Sequence, residues 1–302
     1  MKRLTIILFP FIIFARVFMI SDSNLNSRSS GLRNSDFALA SYNANNFSNP
    51  AFLTDQKDIF FSSTYYNYFT DVNLGNISLL YPGIFIEDCS TGFSLSSINY
   101  GNFKDIDSGY EYTPYEIMLT LSQGYMLKNI QMGMNLKYVY SSITTDYNSS
   151  AFISDIGSLY KFMDNKITVG LGIFNLGFQL DEYYQSRENV AAFLKTGLCY
   201  KLDKLPLNLT AQYEMSFDEL SRYAVGLEFD AKKNLIVRAG YDFSGSDKEI
   251  GTNSKSEKFS GLALGVTILL DSFGVDVSYL VNGELDDEFS ITINFRAVEL
   301  LK

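Results

Sequence analysis

The sequence predicts an all-β protein, a transmembrane antiparallel β-barrel of about fourteen strands with an N-terminal plug segment. Three observations predict it. Apolar and polar residues alternate with period two, segment after segment, from Ile59 to Phe295. Most segments are about eight to twelve residues long, close to the roughly 9–11 that a tilted strand needs to cross a hydrocarbon core. The connections sort by parity, short on one side of the sheet and long on the other, as they do in barrels with a periplasmic and an outer rim.

The chain opens with a leader. Lys2 and Arg3 precede an apolar run, Leu4 to Ala15, which Arg16 interrupts. The run is too short for a transmembrane helix and has the form of an export signal. We place this signal peptide at residues 1–20, with cleavage near Met19 to Ser23, where no small-x-small pattern marks the bond. Residues 21–57 are irregular and rich in Asn, Ser and Gly, which predicts an ordered plug; residues 58–302 are assigned to the barrel.

The clearest strand runs from Ile130 to Ser141. Ile130, Met132, Met134, Leu136, Tyr138 and Tyr140 share one face, opposite Gln131, Gly133, Asn135, Lys137 and Ser141, with Val139 the apolar exception. No helix has that period. The sets Leu207/Leu209/Ala211/Tyr213, Tyr223/Val225/Leu227/Phe229 and Phe289/Ile291/Ile293/Phe295 repeat the pattern. Predicted strands cover 58–66, 72–81, 91–98, 115–125, 130–141, 149–160, 167–175, 191–202, 207–214, 222–229, 235–243, 259–269, 273–280 and 288–295. An even number lets the sheet close without an exposed edge. The even-to-odd turns are mostly short (126–129, 161–166, 203–206, 230–234 and 270–272). Most odd-to-even connections are longer (99–114, 176–190, 244–258 and 281–287), with 67–71 a short exception. A soluble sandwich also alternates, but it would have to bury long Tyr- and Phe-rich stripes in a very large core.

Composition narrows the function. There are 25 Phe, 21 Tyr and no His, so the commonest general base and the commonest metal ligand are both missing. No phosphate loop or dinucleotide fingerprint is present, and the expectation is a protein that is not an enzyme and needs no cofactor or metal. The net charge of −10 becomes three units more negative when Lys2, Arg3 and Arg16 leave with the leader, which argues against a nucleic-acid partner. Cys89 and Cys199 stand far apart with no metal-type spacing and read as free structural thiols. The lumen face is expected to carry Glu116, Asp155, Glu214, Glu228, Asp242 and Asp276 with Lys137, Lys195, Lys201 and Arg238. None of these carboxylates has a catalytic spacing, so an ion-pair ladder bracing the interior is the expectation. Glycines at 133, 157, 170, 172, 197, 226, 240, 261 and 265 are expected to relieve crowding and curve the wall. Tyr65, Tyr66, Tyr68 and Phe69 read as a membrane-interface girdle, with a hydrophobic ligand contact as the alternative.

Asn49-Pro50-Ala51, followed by Phe52-Leu53 and a first strand, resembles the FadL-type outer-membrane barrels. Ile98-Asn99-Tyr100-Gly101-Asn102-Phe103, Lys137 to Ser142 and Asn175-Leu176-Gly177 resemble the PorV/PorQ family within them, and the PorQ branch most. The resemblance implies a plugged fourteen-stranded barrel in the bacterial outer membrane. It also implies a scaffold or anchor in type IX protein secretion and cell-surface attachment, with lipid and surface or periplasmic secretion proteins as partners. It carries over Asn49, Pro50 and Ala51 as plug-junction residues, Asn99, Tyr100, Gly101, Asn175, Leu176 and Gly177 as strand-end motifs, and no catalytic position. The segment before Asn49 departs from the family in lacking a Gly-rich stretch, and the loops are short. The alternative is a FadL-like transporter of small hydrophobic compounds. That needs an apolar pocket continuous with the lumen, and the charged lumen set favours the scaffold.

Overall fold

The computed structural model describes residues 18–23, 25–40, 48–68, 71–183, 190–216, 221–232, 234–244, 259–283 and 287–297. The strands are β1 (Ile59–Asn67), β2 (Asn73–Pro82), β3 (Ser90–Asn99), β4 (Phe103–Lys104), β5 (Glu111–Tyr112), β6 (Tyr115–Leu127), β7 (Ile130–Thr144), β8 (Tyr147–Phe162), β9 (Ile167–Asp181), β10 (Phe193–Lys201), β11 (Leu207–Ser216), β12 (Arg222–Lys232), β13 (Leu235–Asp242), β14 (Leu262–Leu270), β15 (Phe273–Leu280) and β16 (Glu288–Ala297). All but β4 and β5 join in one closed antiparallel barrel of fourteen strands. Its seam pairs β1 with β16 from Ile59↔Ala297 to Asn67↔Phe289, so no edge is left unpaired.

Alternation decides which face looks out. On β7, Met134 and Leu136 are 40% and 48% exposed, while Asn135 and Lys137 between them are 0% and 4%. Ile77, Leu95, Leu119, Phe152, Leu171, Leu198, Leu227, Leu264 and Ile293 continue the exposed apolar belt around the barrel. A belt of that extent is incompatible with a monomer in water and matches the apolar band of an outer-membrane barrel. No helix among the described residues is long and apolar enough to cross a membrane.

Two elements differ from the sequence reading. β9 does not stop at Asn175; it passes through a bulge, where the pairing with β8 shifts between Ser154 and Ile156, and continues to Asp181. Asn175 has φ 56°, a left-handed conformation that Asn tolerates better than most residues, and in sequence that composition imitates a strand end. The connection after β3 is not plain loop: it folds into the β4–β5 hairpin, paired Phe103↔Tyr112 and Lys104↔Glu111. The expected girdle at the first hairpin also divides. Tyr65 faces out and is half exposed, Tyr66 faces in and donates its hydroxyl to Glu288, and Tyr68 packs on Tyr66. Phe69 lies outside the described residues.

Candidate functional site: the lumen and its plug

The N-terminal segment lies inside the barrel, and the inward glycines are its seat. Across adjacent strands they fall opposite one another: Gly124↔Gly133, Gly133↔Gly157, Gly157↔Gly172, Gly170↔Gly197 and Gly226↔Gly240. A methyl group at Gly133 would stand 2.5 Å from the Ala51 amide nitrogen, and one at Gly240 would stand 2.6 Å from that of Arg33. At Gly265 the neighbour is the Cα of Gly31 in a short helix, α1 (Ser27–Gly31), at 3.2 Å. The crowding these glycines relieve is therefore that of the plug backbone as well as of the wall. Gly261 is different: its φ of 91° belongs to a turn facing the Asp242 carbonyl.

Asn49-Pro50-Ala51 begins a 3-10 turn, Pro50–Thr54. The Asn49 carboxamide oxygen accepts from the Ala51 amide at 3.0 Å, and its nitrogen donates to the carbonyls of Phe37 at 3.2 Å and Ser158 at 3.4 Å. One side chain thus caps the turn, ties it to an earlier plug residue and ties both to β8. Asn99-Tyr100-Gly101 closes β3: Asn99 accepts from the Gly101 amide at 2.9 Å, and the Tyr100 hydroxyl reaches Glu116 at 2.9 Å. At Asn175-Leu176-Gly177 the bulge turns Asn175 inward, Leu176 points out, and Gly177 leaves room for the Phe152 carbonyl.

Asn175 joins a buried polar hub. Its amide donates to Asp155 at 3.0 Å, and Lys137 pairs with the other Asp155 oxygen at 2.7 Å. Asn135 donates to the same oxygen at 2.9 Å. The hub grips the plug through Lys137 to the Ser21 carbonyl at 3.2 Å and through the Asn175 carboxamide to Ser21 and Asp22. A second network crosses the lumen. Arg28 of α1 and Arg238 of β13 both bind Glu228, at 3.0 and 2.6 Å, and Arg238 continues to Asp276 at 3.4 Å. All four side chains are at most 5% exposed, so removing one would leave an unpaired buried charge. Lys195 meets Glu214 at 3.6 Å. Lys201 is exposed and Asp242 only half-buried, so these two stand outside the ladder in which the sequence reading placed them. Within the plug, burial pushes the Asp36 carboxyl above its usual range, against the opposing pull of Arg28. Cys89 and Cys199 are free and buried.

One end of the lumen, beside the connection from β3 to β6, has a different character. Leu74, Ile98, Met118, Val139, Ala151 and Ile153 point inward from β2, β3, β6, β7 and β8, and Phe18 and Ile20, which the sequence reading placed in the leader, fill the space between them with Leu25 of the plug. At the level of Ile98, its partner across the ladder, Glu116 accepts from the Ile20 amide at 2.8 Å. The expectation of a polar, charged lumen is thus refined: one sector of the inner wall carries an apolar cluster, with Glu116 and Glu288 at the same end of the barrel. Sequence reasoning missed Arg28, Phe37 and the Ser21–Asp22 contact, because nothing in an irregular segment says which side chains meet a wall. The usable signal was on the wall, in glycines at matching inward positions of neighbouring strands.

A closed fourteen-stranded barrel entered by a buried N-terminal segment can be compared with solved structures. The monoaromatic hydrocarbon channel CymD superposes with a TM-score of 0.61 over 90% of this chain and 97% of its own, at 11% identity. The fold is that of the FadL-type outer-membrane barrels. The toluene transporter TodX of Pseudomonas putida gives 0.59 over 93% and 99% at 11% identity. A FadL homologue of Pseudomonas aeruginosa gives 0.53 over 90% and 98% at 13% identity. No protein-family model matches the sequence, and no curated protein does. The protein is therefore a bacterial outer-membrane barrel, and the match to FadL-type structures stands without a narrower assignment to the PorV/PorQ family.

Proposed function

We propose that the barrel passes small hydrophobic compounds across the outer membrane, with the plug occupying the route at rest. The observation that carries this is the apolar chamber at one end of the lumen, the feature whose absence from the sequence reading had favoured a scaffold. Barrels of the same fold named as hydrocarbon channels and toluene transporters support it. Uptake of labelled toluene by cells with and without the gene tests it. The deletion should slow uptake, the wild-type gene should restore it, and Val139→Phe, whose larger ring takes wall space that a displaced plug would leave to the ligand, should restore it poorly. Equal uptake in all strains would reject the reading.

The second reading, a PorQ-like scaffold in type IX secretion and surface attachment, draws on the β4–β5 hairpin. There Phe103 stacks on Tyr112 at 5.8 Å, Tyr112 on Tyr110 at 6.3 Å, and Ile106 at the tip is 97% exposed. An apolar tip of that kind suits a protein partner. Recovery of a stoichiometric surface protein, lost on deleting 103–112 with uptake unchanged, would favour the scaffold.

A further inference from the structure

On the inner wall, β9 presents Gly170, Gly172 and Phe174, and β10 presents Phe193, Lys195 and Gly197. Their register sets Gly170 against Gly197, Gly172 against Lys195 and Phe174 against Phe193. The result is a slot. Its floor is the glycines, where a methyl group at Gly170, Gly172 or Gly197 would come within 3.0 Å of Phe37. Its end is the Phe174–Phe193 stack, with centroids 5.5 Å apart and planes 10° from parallel. The Lys195 ammonium lies 4.9 and 5.0 Å from those two rings. Phe37 of the plug occupies the slot, edge-on to Phe174 at 5.8 Å and 68°.

We infer that this slot is a receptor for a single aromatic ring, and that Phe37 is its resident occupant. An aliphatic side chain would fill the volume, but it would not make the edge-to-face ring contact that Phe37 makes with Phe174. The wall is built for a ring that the wall itself does not supply. Phe37 belongs to a segment that anything passing the lumen has to displace, and an emptied ring-sized cavity is unfavourable unless another group takes it. Lys195, with 16% of its side chain exposed, marks the side from which a ring can enter. Use of the slot for aromatic cargo rests on the transport reading; its chemistry is testable apart from it.

The test is equilibrium binding of 4-fluorophenol, read by fluorine NMR on the full-length protein in detergent. Empty micelles serve as the blank, and retained heat-modifiable gel mobility shows that the barrel is folded. Phe37→Ala should bind the probe at least tenfold more tightly than wild type, because the competing ring is gone. Phenol should displace the probe at least tenfold better than cyclohexanol, and adding Phe174→Leu should erase that preference. If Phe37→Ala unseats the plug, seen as protease cleavage before Asn49, the slot is vacant and the same binding is expected. Folded Phe37→Ala that binds no probe, or that binds cyclohexanol as well as phenol, would overturn the inference. Toluene uptake distinguishes the two claims. Uptake without slot binding removes the slot and keeps the transporter, and slot binding without uptake does the reverse.

Discussion

Replacing Gly133 by Ala should loosen the plug, and the size of the effect follows from what surrounds the added methyl. It would lie 2.5 Å from the Ala51 amide nitrogen and closer still to the Pro50 carbonyl, where ordinary contact begins at 3.4 Å. Both neighbours are backbone, so no side-chain rotation relieves the clash and the plug has to retreat by about 1 Å, the kind of overpacking that costs about 1–3 kcal/mol. Retreat also stretches the Asn49 bonds to Phe37 and Ser158, each worth about 1 kcal/mol. A total loss of about 2–4 kcal/mol is expected. Gly274→Ala is the control: it also faces inward, but its nearest neighbour is the flexible tip of Leu269 at 3.2 Å, so a change within about 0.5 kcal/mol is expected. The assay is denaturant titration of protein refolded into bilayers, with protease protection of the segment before Asp58 as a separate readout. Equal stability and equal protection in the two variants would mean that the glycine track does not seat the plug.

Further expectations bear on the two faces, the charge networks and the leader. Met134→Arg places a charge in the lipid belt and should cost about 2–4 kcal/mol of bilayer folding stability. Asn135→Arg should be at least as damaging, because Asn135 is fully buried and donates to Asp155; free tolerance of it would contradict a filled lumen. Arg238→Ala leaves Glu228 to Arg28 alone and takes the cation from buried Asp276, and should cost about 3–5 kcal/mol, whereas a loss below 1 kcal/mol would mean the network is wet. Because burial raises the Asp36 carboxyl in the folded state, that state binds the proton more tightly than the unfolded chain does, and stability falls as pH rises through the folded value. Asp36→Asn should therefore improve protease protection of the plug at neutral pH and change it little in acid; the opposite pH order would refute the assignment. Phe18, Ile20 and Ser21 engage the lumen, so we propose that the leader is cut before Phe18, upstream of the Met19–Ser23 expectation. Intact mass of protein from outer membranes decides this, and a mature chain starting at or beyond residue 19 would reject it.

The wall of this protein was legible because period-two alternation is a local property. Ile130 to Ser141 announces its two faces whatever lies across the lumen, and the structure puts Met134 and Leu136 outside and Asn135 and Lys137 inside as that alternation requires. Boundaries were legible where turn residues end strands and failed where the same residues build a bulge: Asn175 and Gly177 are turn-like in composition but sit in mid-strand, because Asp155 across the ladder accepts the Asn175 amide. What the lumen contains was poorly legible. Inward Leu74, Ile98, Met118 and Val139 lie one to a strand, and of these the sequence reading picked out Val139 alone as an apolar exception. They become one cluster only when the pairing of β2, β3, β6 and β7 sets them side by side and the chain from Phe18 to Leu25 packs onto them.

That chamber sets the terms of any passage through the lumen. At rest it is filled by Phe18, Ile20 and Leu25, whose burial is worth roughly 1.5–3 kcal/mol per side chain. A hydrophobic ligand that displaces them exchanges one buried apolar surface for another, so on the transport reading the net cost of opening the chamber is small. A polar solute has no such exchange to offer, and it would have to expose the apolar wall while losing its own hydration. A ligand shifts the plug only by its differential affinity for the displaced state, and here that difference is available to apolar compounds alone. The Arg28–Glu228–Arg238 network and the glycine track hold the rest of the plug in place. On the transport reading, selectivity then follows from what the plug tip is made of: the side chains that close the route specify, by their own chemistry, what can replace them.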